Sequence, residues 1–321
     1  MLFAGYQSLV CRIKRLHAEG SLARKIGIRI RKALLRLPLI VPAYEYVLLN
    51  LLARRINRAD KSRVYCQVLT LYKRNTLLLQ IHALLRQTLL PSKVIIYQNS
   101  SISRRPWMPR GQNVILYTHN TNWNAKYHGR FYVCLPVESD YYVLWDDDIG
   151  PGPLWNERCL NYVQTHDCIV TANGRGLIPG SVRNLVSDYQ RYLHTPYELR
   201  LGDGLPIASD TVVDYGGHSW AFARSSLIDM ASIDPPSLAN SEDFHLSAAS
   251  FVRSGTQTVV LSQDARDADG YPDLFMNYYS VDAHASHKVA TGSFMLERAT
   301  IILKWIDCYG YIPVSERSRD R

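Results

Sequence analysis

The most constraining feature of the sequence is a short apolar run that ends in three adjacent carboxylates. Tyr141–Trp145 is followed by Asp146, Asp147 and Asp148, and then by a cluster of Gly and Pro at 150–153. The apolar run favours a buried strand, which the Gly/Pro cluster ends. Adjacent carboxylates repel one another at neutral pH, so a bound divalent metal is the first hypothesis, and a solvated acidic loop is the alternative. In open α/β sheets, ligands bind beyond the carboxyl ends of the strands, where this triplet is expected.

The positive charge of the chain is concentrated at its N-terminal end. The formal net charge of the 321 residues is +9, but residues 1–63 alone carry 14 Lys and Arg against three acidic residues, a net of +11. Residues 64–321 therefore carry a net charge of −2. A nucleic-acid enzyme is expected to spread basic residues over the face that holds its site, so this distribution argues against nucleic acid as a partner.

The N-terminal segment 1–63 contains a predicted basic amphipathic helix. Apolar residues recur at helical spacing over 22–37, and Lys and Arg occupy most positions between them. Such a helix can lie on an anionic bilayer, although packing on the main domain is the alternative. The next apolar run, 37–53, is interrupted by two prolines and Glu45, so peripheral attachment is favoured over a membrane span. Six scattered cysteines and the lack of a cleavable signal favour a cytoplasmic location, at a membrane face.

From residue 64 onward, strand and helix patterns alternate. The predicted elements are a strand at Val64–Thr70, a helix at Thr76–Gln87, strands at Lys93–Asn99 and Val114–Tyr117, a helical or looped stretch at Trp123–Val133, and a strand at Tyr141–Trp145. The first three form a βαβ unit, which predicts an α/β fold with a parallel sheet. The sequence has no GxGxxG after its first strand and no GxxxxGK[ST], so neither a Rossmann dinucleotide site nor a P-loop is indicated.

Three segments together carry a family resemblance. The stretch VLTLYKRNTLLLQIHALLRQTLLPSKVIIYQNS, the residues Asn120 to Arg130 and the stretch YYVLWDDDI resemble the GT-A glycosyltransferases, in particular the family 2 and exostosin-like groups. The resemblance covers residues 64–260. It implies the GT-A fold, with a mainly parallel sheet flanked by helices, a nucleotide-sugar half at 64–150 and an acceptor half at 151–321. It also implies a nucleotide diphosphate sugar, and a uridine one in particular, as donor.

On the donor side, the resemblance assigns roles to the acidic triplet. A nucleotide diphosphate leaving group develops negative charge as the glycosidic bond breaks, and Mn²⁺ or Mg²⁺ on its phosphates stabilises that charge. Asp148 is expected to bind the metal, Asp146 to reach it directly or through water, and Asp147 to bind ribose or sugar hydroxyls. A histidine from the later region, His287, is a candidate third metal ligand.

Further donor-binding residues follow the first two strands and the looped stretch. By the same resemblance, Thr70, Tyr72 and Arg74 are expected to hold the base and ribose, and Asn99 to bond the uracil. Lys126 and Arg130 are four residues apart, so on one helical face they would suit a diphosphate. A solvated surface pair is the alternative.

The second half is expected to supply the acceptor side. Gly217 lies where a turn of small residues joins an apolar strand, which lets backbone approach a ligand closely. Asn240 or Ser241 can cap a helix whose first turn holds Glu242 and Asp243. The resemblance makes Asp243 the general base and Glu242 the neighbour that orients the base or the acceptor. The alternative is that both carboxylates only complement a helix N-terminus.

The sequence thus predicts a metal-dependent glycosyltransferase that acts on a hydroxyl of a glycan, polysaccharide or glycolipid acceptor. A nucleotidyltransferase of similar sheet architecture is one alternative, but it would need a Gly-rich loop after the first strand, and residues 70–75 contain no Gly. A non-catalytic sugar-binding protein is the other. The family 2 pattern implies inversion and the exostosin-like pattern retention, so the stereochemistry stays open.

Overall fold

A computed structural model describes most of the chain. The described residues are 40–58, 65–71, 76–99, 106–111, 113–118, 124–147, 149–192, 196–202, 206–264, 266–272 and 293–317. Several predicted features lie outside them, namely the basic helix over 22–37, Tyr72, Arg74, Asp148 and His287.

The described strands form one mixed sheet of nine strands. They are β1 (Tyr65–Leu71), β2 (Lys93–Gln98), β3 (Val114–Thr118), β4 (Tyr141–Trp145), β5 (Ile169–Leu177), β6 (Glu198–Leu201), β7 (Thr211–Val213), β8 (Tyr215–Ala223) and β9 (Thr258–Val260). Their order across the sheet is β3-β2-β1-β4-β8-β5-β9-β7, with β6 paired to β5. The predicted strands of the first half are thus confirmed, with ends that differ by one residue at most.

Strand direction places the ends of β1, β2 and β4 at one edge of the sheet. The pairs β1–β2, β1–β4 and β2–β3 are parallel, and β8 runs antiparallel to both β4 and β5. In the register, Leu69 lies opposite Trp145, and Thr70 opposite Tyr97. Asp146 and Asp147, which follow β4, therefore lie at the carboxyl edge together with the ends of β1 and β2, as the predicted α/β fold requires.

Helices cover the sheet. They are α1 (Ile40–Arg58), α2 (Leu77–Leu85), α3 (Gly129–Tyr132), α4 (Trp155–His166), α5 (Pro179–Ser187), α6 (Tyr189–Tyr192), α7 (Arg224–Ala231), α8 (Glu242–Ser254), α9 (Ser293–Tyr309) and α10 (Val314–Arg317), with a 3₁₀ turn at Lys126–His128 before α3. In α2, one apolar face is buried, because Leu77, Leu78, Ile81 and Leu84 each have little exposed surface. The confirmed architecture is a sheet flanked by helices.

The first described helix belongs to the folded core. Leu48, Leu49, Leu52 and Ile56 of α1 are buried in the same apolar cluster as residues of β1, β2 and β4. Residues 40–58 of the predicted N-terminal segment thus pack on the domain. Within the described part of the chain, none of the helices combines the length and the apolar character needed to cross a bilayer.

Candidate active site at the carboxyl edge of the sheet

Two hydrogen bonds hold the backbone of the acidic triplet in place. The amide of Asp146 donates to the carbonyl of His218 on β8 at 2.8 Å. The hydroxyl of Thr76 donates to the carbonyl of Asp147 at 2.5 Å. The side chain of Thr76, the residue before α2, makes no capping bond and instead ties the start of α2 to Asp147. Asp147 is buried, whereas the side chain of Asp146 is 25% exposed.

Arg130 connects the triplet to the acidic pair at the start of α8. One guanidinium nitrogen contacts Asp146, and the other donates to Glu242 at 2.5 Å. The guanidinium also lies 4.6 Å from the centre of the Trp220 ring. Burial disfavours the charged form of Arg130, but the carboxylates, Asp146 first among them, raise its pKa above the ordinary value. A protein cation therefore offsets part of the charge repulsion that the sequence predicts here.

The predicted pairing of Lys126 with Arg130 on one helical face is wrong. Lys126 begins the 3₁₀ turn with a φ of +46° and is exposed, whereas Arg130 is buried in the following helix α3. A 3₁₀ turn has three residues per turn rather than 3.6, so a spacing of four does not bring the two side chains into line. The two cations therefore have different surroundings.

Glu242 and Asp243 occupy the first turn of α8, as predicted. The preceding residue, Ser241, has a φ of +62°, and its side chain makes no capping bond. Burial raises the pKa of Glu242 to about 6, although the neighbouring Arg130 works in the opposite direction. A carboxyl group whose pKa is raised by burial is common among catalytic acids and bases.

Asp243 is paired with an arginine that the sequence did not single out. Nη2 of Arg298, on α9, donates to both carboxylate oxygens of Asp243, at 2.8 and 2.6 Å. The guanidinium lies 4.8 Å from the centre of the Tyr215 ring. The helical periodicity of α9 could have indicated this ion pair. Arg298 lies on the same face of the helix as the buried Ile302 and Trp305. A charged residue on such a face is expected to have a partner of opposite charge.

Asn99 is part of a polar network that links β2 to the 3₁₀ turn. It is buried, and its amide donates to Asn124 at 3.1 Å and to the hydroxyl of Tyr97 at 3.3 Å. The side chain of Asn124 also accepts from the backbone amide of Lys126 at 2.7 Å. Asn124 was missed in the sequence because an isolated Asn carries no local signal for a distant partner. The network brings two predicted donor-binding residues, Asn99 and Lys126, to the same edge.

Thr70 and Gly217 have different local explanations. Thr70 is buried at the end of β1, and its hydroxyl has no hydrogen-bond partner among the described residues. Such a group is available to a ligand. At Gly217, a Cβ would lie 2.9 Å from the side-chain oxygen of Asn173, so packing inside the protein accounts for this glycine.

Two buried histidines form a second link between the same segments. Nε2 of His128, two residues before Arg130, lies 3.2 Å from Nδ1 of His245 on α8, and Nδ1 of His128 lies 3.2 Å from the carbonyl of Leu238. Burial lowers the pKa of His128 to about 4 and that of His245 to about 3. Both rings are therefore neutral at physiological pH. Together with the Arg130 ion pair, they connect α3 to α8.

The donor chemistry at this edge fits a hard divalent cation. Asp146 offers a partly exposed carboxylate, and Mg²⁺ and Mn²⁺ favour sites with one or two carboxylates plus phosphate oxygens of a substrate. Over the part of the chain that the structure describes, no three His, Cys, Asp or Glu residues cluster in a way that could hold a metal ion. The other two predicted ligands, Asp148 and His287, lie outside it.

No protein-family model and no curated protein matches the chain. It is similar to the solved structure of S. aureus TarS, residues 1–349, with 12% identity over 63% of this chain and 58% of that chain and a TM-score of 0.42. It is also similar to the structure of TarS in complex with UDP-GlcNAc, with 12% identity over 63% of this chain and 56% of that chain and a TM-score of 0.41.

Another similar structure is glucosyl-3-phosphoglycerate synthase from Mycobacterium tuberculosis in complex with Mn²⁺, uridine diphosphate and phosphoglyceric acid. Its identity is 15%, the coverage is 63% of this chain and 69% of that chain, and the TM-score is 0.37. This chain spans less than two thirds of the TarS chain. Because identity and TM-scores are low, the functional conclusion depends on the geometry of the site itself.

Proposed function

We propose that this chain is a glycosyltransferase of the GT-A fold that moves a sugar from a nucleotide diphosphate donor, a UDP-sugar, to an acceptor hydroxyl. The observation that carries the proposal is the double contact of Arg130 with Asp146 and Glu242. These carboxylates belong to the two motifs for which the sequence resemblance predicts donor and acceptor roles. A transfer reaction needs both motifs at one place, and a single guanidinium spans them.

On the donor side, the proposal assigns the diphosphate to the edge beside β4. Asp146 and Asp148 would hold Mn²⁺ or Mg²⁺, with His287 as a third ligand, and the metal would supply charge stabilisation to the leaving diphosphate. Asp147 would bind ribose or sugar hydroxyls. The exposed Lys126 is available to the phosphates, whereas Arg130 orients Asp146 through an ion pair.

The nucleoside would lie beyond β1 and β2. The hydroxyl of Thr70, which has no partner among the residues that the structure describes, and the buried amide of Asn99 support this placement. Tyr72 and Arg74 remain proposed base and ribose contacts. Gly217 is still proposed as a position where the backbone comes close to the substrate. Its packing against Asn173 also explains why a glycine stands here.

On the acceptor side, a general base must take the proton of the attacking hydroxyl. Asp243 is our first assignment, and the ion pair with Arg298 fixes its orientation. Glu242 is the second assignment, because its raised pKa of about 6 suits proton exchange near neutral pH. The variants Asp243→Asn and Glu242→Gln separate the two, since only the base is indispensable for transfer.

The acceptor would be a glycan, polysaccharide or glycolipid at the cytoplasmic face of a membrane. The excess charge of +11 in residues 1–63 supports peripheral attachment to anionic lipid. A nucleotidyltransferase is disfavoured by the lack of Gly in residues 70–75. A non-catalytic sugar-binding protein would bind UDP-sugars without turnover.

The decisive experiment measures turnover of a panel of nucleotide sugars with Mn²⁺, with Mg²⁺ and with a chelator. We expect hydrolysis or transfer of a UDP-sugar that depends on the metal and is lost in Asp148→Ala. Asp140→Ala is the matched control, because this exposed residue precedes the opposite end of β4. Metal-independent turnover, or full activity of Asp148→Ala, would remove the metal assignment. Release of pyrophosphate from a nucleoside triphosphate would favour the nucleotidyltransferase.

A further inference from the structure

Helix α1 is apolar on two sides. Its inner side is buried in the core, as described above. On its outer side, Tyr46, Val47 and Leu51 are 38%, 51% and 45% exposed. A helix that serves only to pack on a domain is expected to carry polar residues on its outer side. The outer apolar residues therefore need a different explanation.

A second segment extends this outer side. Trp107 is 48% exposed, and its ring meets that of Tyr46 edge to face, with the ring centres 6.5 Å apart. Residues from two distant parts of the chain thus form one exposed apolar patch, which we call the α1–Trp107 face and define as Tyr46, Val47, Leu51 and Trp107. Contiguous exposed patches of large apolar side chains mark interaction surfaces.

The same stripe of α1 continues into exposed arginines. Val47, Leu51, Arg54 and Arg58 follow one another at intervals of four, three and four residues, so they line one side of the helix. Both arginines are exposed. The face is therefore apolar at one end of the stripe and cationic at the other.

We propose that the α1–Trp107 face docks on the surface of an anionic lipid bilayer. Trp and Tyr favour the boundary between headgroups and acyl chains, where one part of the ring is apolar and the other wet. Arginines on the same stripe would lie against lipid phosphates. A second copy of this chain fits less well, because a symmetric contact would bring the arginine-bearing stripes of two chains together, each on a strongly cationic segment.

This contact lies on the folded domain, apart from the predicted basic helix over 22–37. It would fix the orientation of the domain on the bilayer, because α1 is packed into the folded core. The inference does not depend on the proposed transfer reaction, because none of its residues belongs to the site at the carboxyl edge.

The test is co-sedimentation of the full chain with vesicles of phosphatidylcholine containing phosphatidylglycerol, with pure phosphatidylcholine as reference. We expect the double variant Leu51→Ser/Trp107→Ser to weaken binding to the anionic vesicles about tenfold, which corresponds to about 1.4 kcal/mol. Ile228→Ser is the matched control, because Ile228 on α7 is 53% exposed and lies outside the face. Unchanged binding by the double variant would overturn the proposal.

A second measurement separates this face from the upstream segment. Brominated lipids quench only tryptophans that reach the acyl boundary, so we expect quenching in the wild type that is lost in Trp107→Phe. Equal quenching in both proteins would also overturn the proposal. A concentration-dependent dimer that Leu51→Ser abolishes, with vesicle binding unchanged, would assign the face to a second copy instead.

Discussion

Arg298 donates from one nitrogen, Nη2, to both carboxylate oxygens of Asp243, at 2.8 and 2.6 Å. The two side chains are 14% and 16% exposed, and they join α9 to the first turn of α8. The proposed base is therefore held by a residue 55 positions away in the sequence. Removal of either partner should therefore leave the other charge without its ion pair.

Replacement of Arg298 by methionine is expected to destabilise the fold. It leaves a largely buried carboxylate without its cation, and such a loss costs about 3 kcal/mol of unfolding free energy. Arg298→Lys should recover part of this loss. Urea denaturation measures the change, and Arg183→Met is the control, because Arg183 pairs with Asp307 of the same helix α9 where both side chains are half exposed. Equal effects of the two methionine variants would show that burial adds nothing to the Arg298 pair.

Replacement of Arg130 is expected to lower the turnover of the enzyme. Without the guanidinium, Asp146 and Glu242 lose their shared cation, so Arg130→Met should lower turnover of the UDP-sugar at least about 100-fold, as expected for the loss of a positioning contact. Arg130→Lys should not restore it, since a single ammonium does not reproduce a two-nitrogen bridge.

A double-mutant cycle tests whether Arg130 acts through Glu242. If it does, the effects of Arg130→Met and Glu242→Gln on unfolding free energy will not add, and a coupling of about 1 kcal/mol or more is expected. Arg86→Met is the control, because Arg86 is exposed at the end of α2. Strictly additive effects would contradict the bridge.

The buried histidine pair predicts a loss of stability in acid. The folded-state pKa values of His128 and His245, about 4 and about 3, lie below the ordinary value of 6.5, so the unfolded chain takes up protons first as the pH falls. Stability from this pair is fully present above pH 6.5 and is lost between pH 6.5 and about 3. Denaturation at pH 8, 6 and 5 should show a contribution from this pair of about 2 kcal/mol per pH unit in the lower interval, about 1 from each histidine.

His245→Gln should reduce that slope, whereas His166→Gln, at an exposed position on α4, should not. An unchanged slope in His245→Gln would assign the acid sensitivity to other groups.

The carboxyl group of Glu242 should change folding stability with pH in the direction opposite to that of the histidine pair. Its folded-state pKa of about 6 lies above the ordinary 4.5, so the folded protein binds the proton more tightly. The contribution of this group to stability is present below pH 4.5 and is lost as the pH rises to about 6. If the ionised form assists transfer, turnover should fall as the pH drops through about 6. Glu242→Gln should abolish this limb of the pH profile, and Glu138→Gln, an exposed residue before β4, should retain it.

The elements of residues 64–150 could be predicted because their signals are local. The strand at Tyr141–Trp145 and the buried face of α2 follow from the periodicity of apolar residues, which reflects which side of an element meets the core. The same holds for the helix that begins at Glu242. The cap of α8 was predicted less well, because Ser241 has a hydroxyl group suited to a cap but makes no capping bond.

The α/β alternation, the acidic triplet after a buried strand and the basic N-terminal segment can all be read from the chain, since each depends on neighbours within a few residues. Which charges meet depends instead on the packing of distant segments. Arg130 contacts Glu242, 112 residues away, because β8 lies beside β4 and α8 begins at the same edge. The pairing of Arg298 with Asp243 likewise depends on how α9 packs. Buried charges require partners, but the identity of each partner depends on strand order and helix packing, which no local pattern encodes.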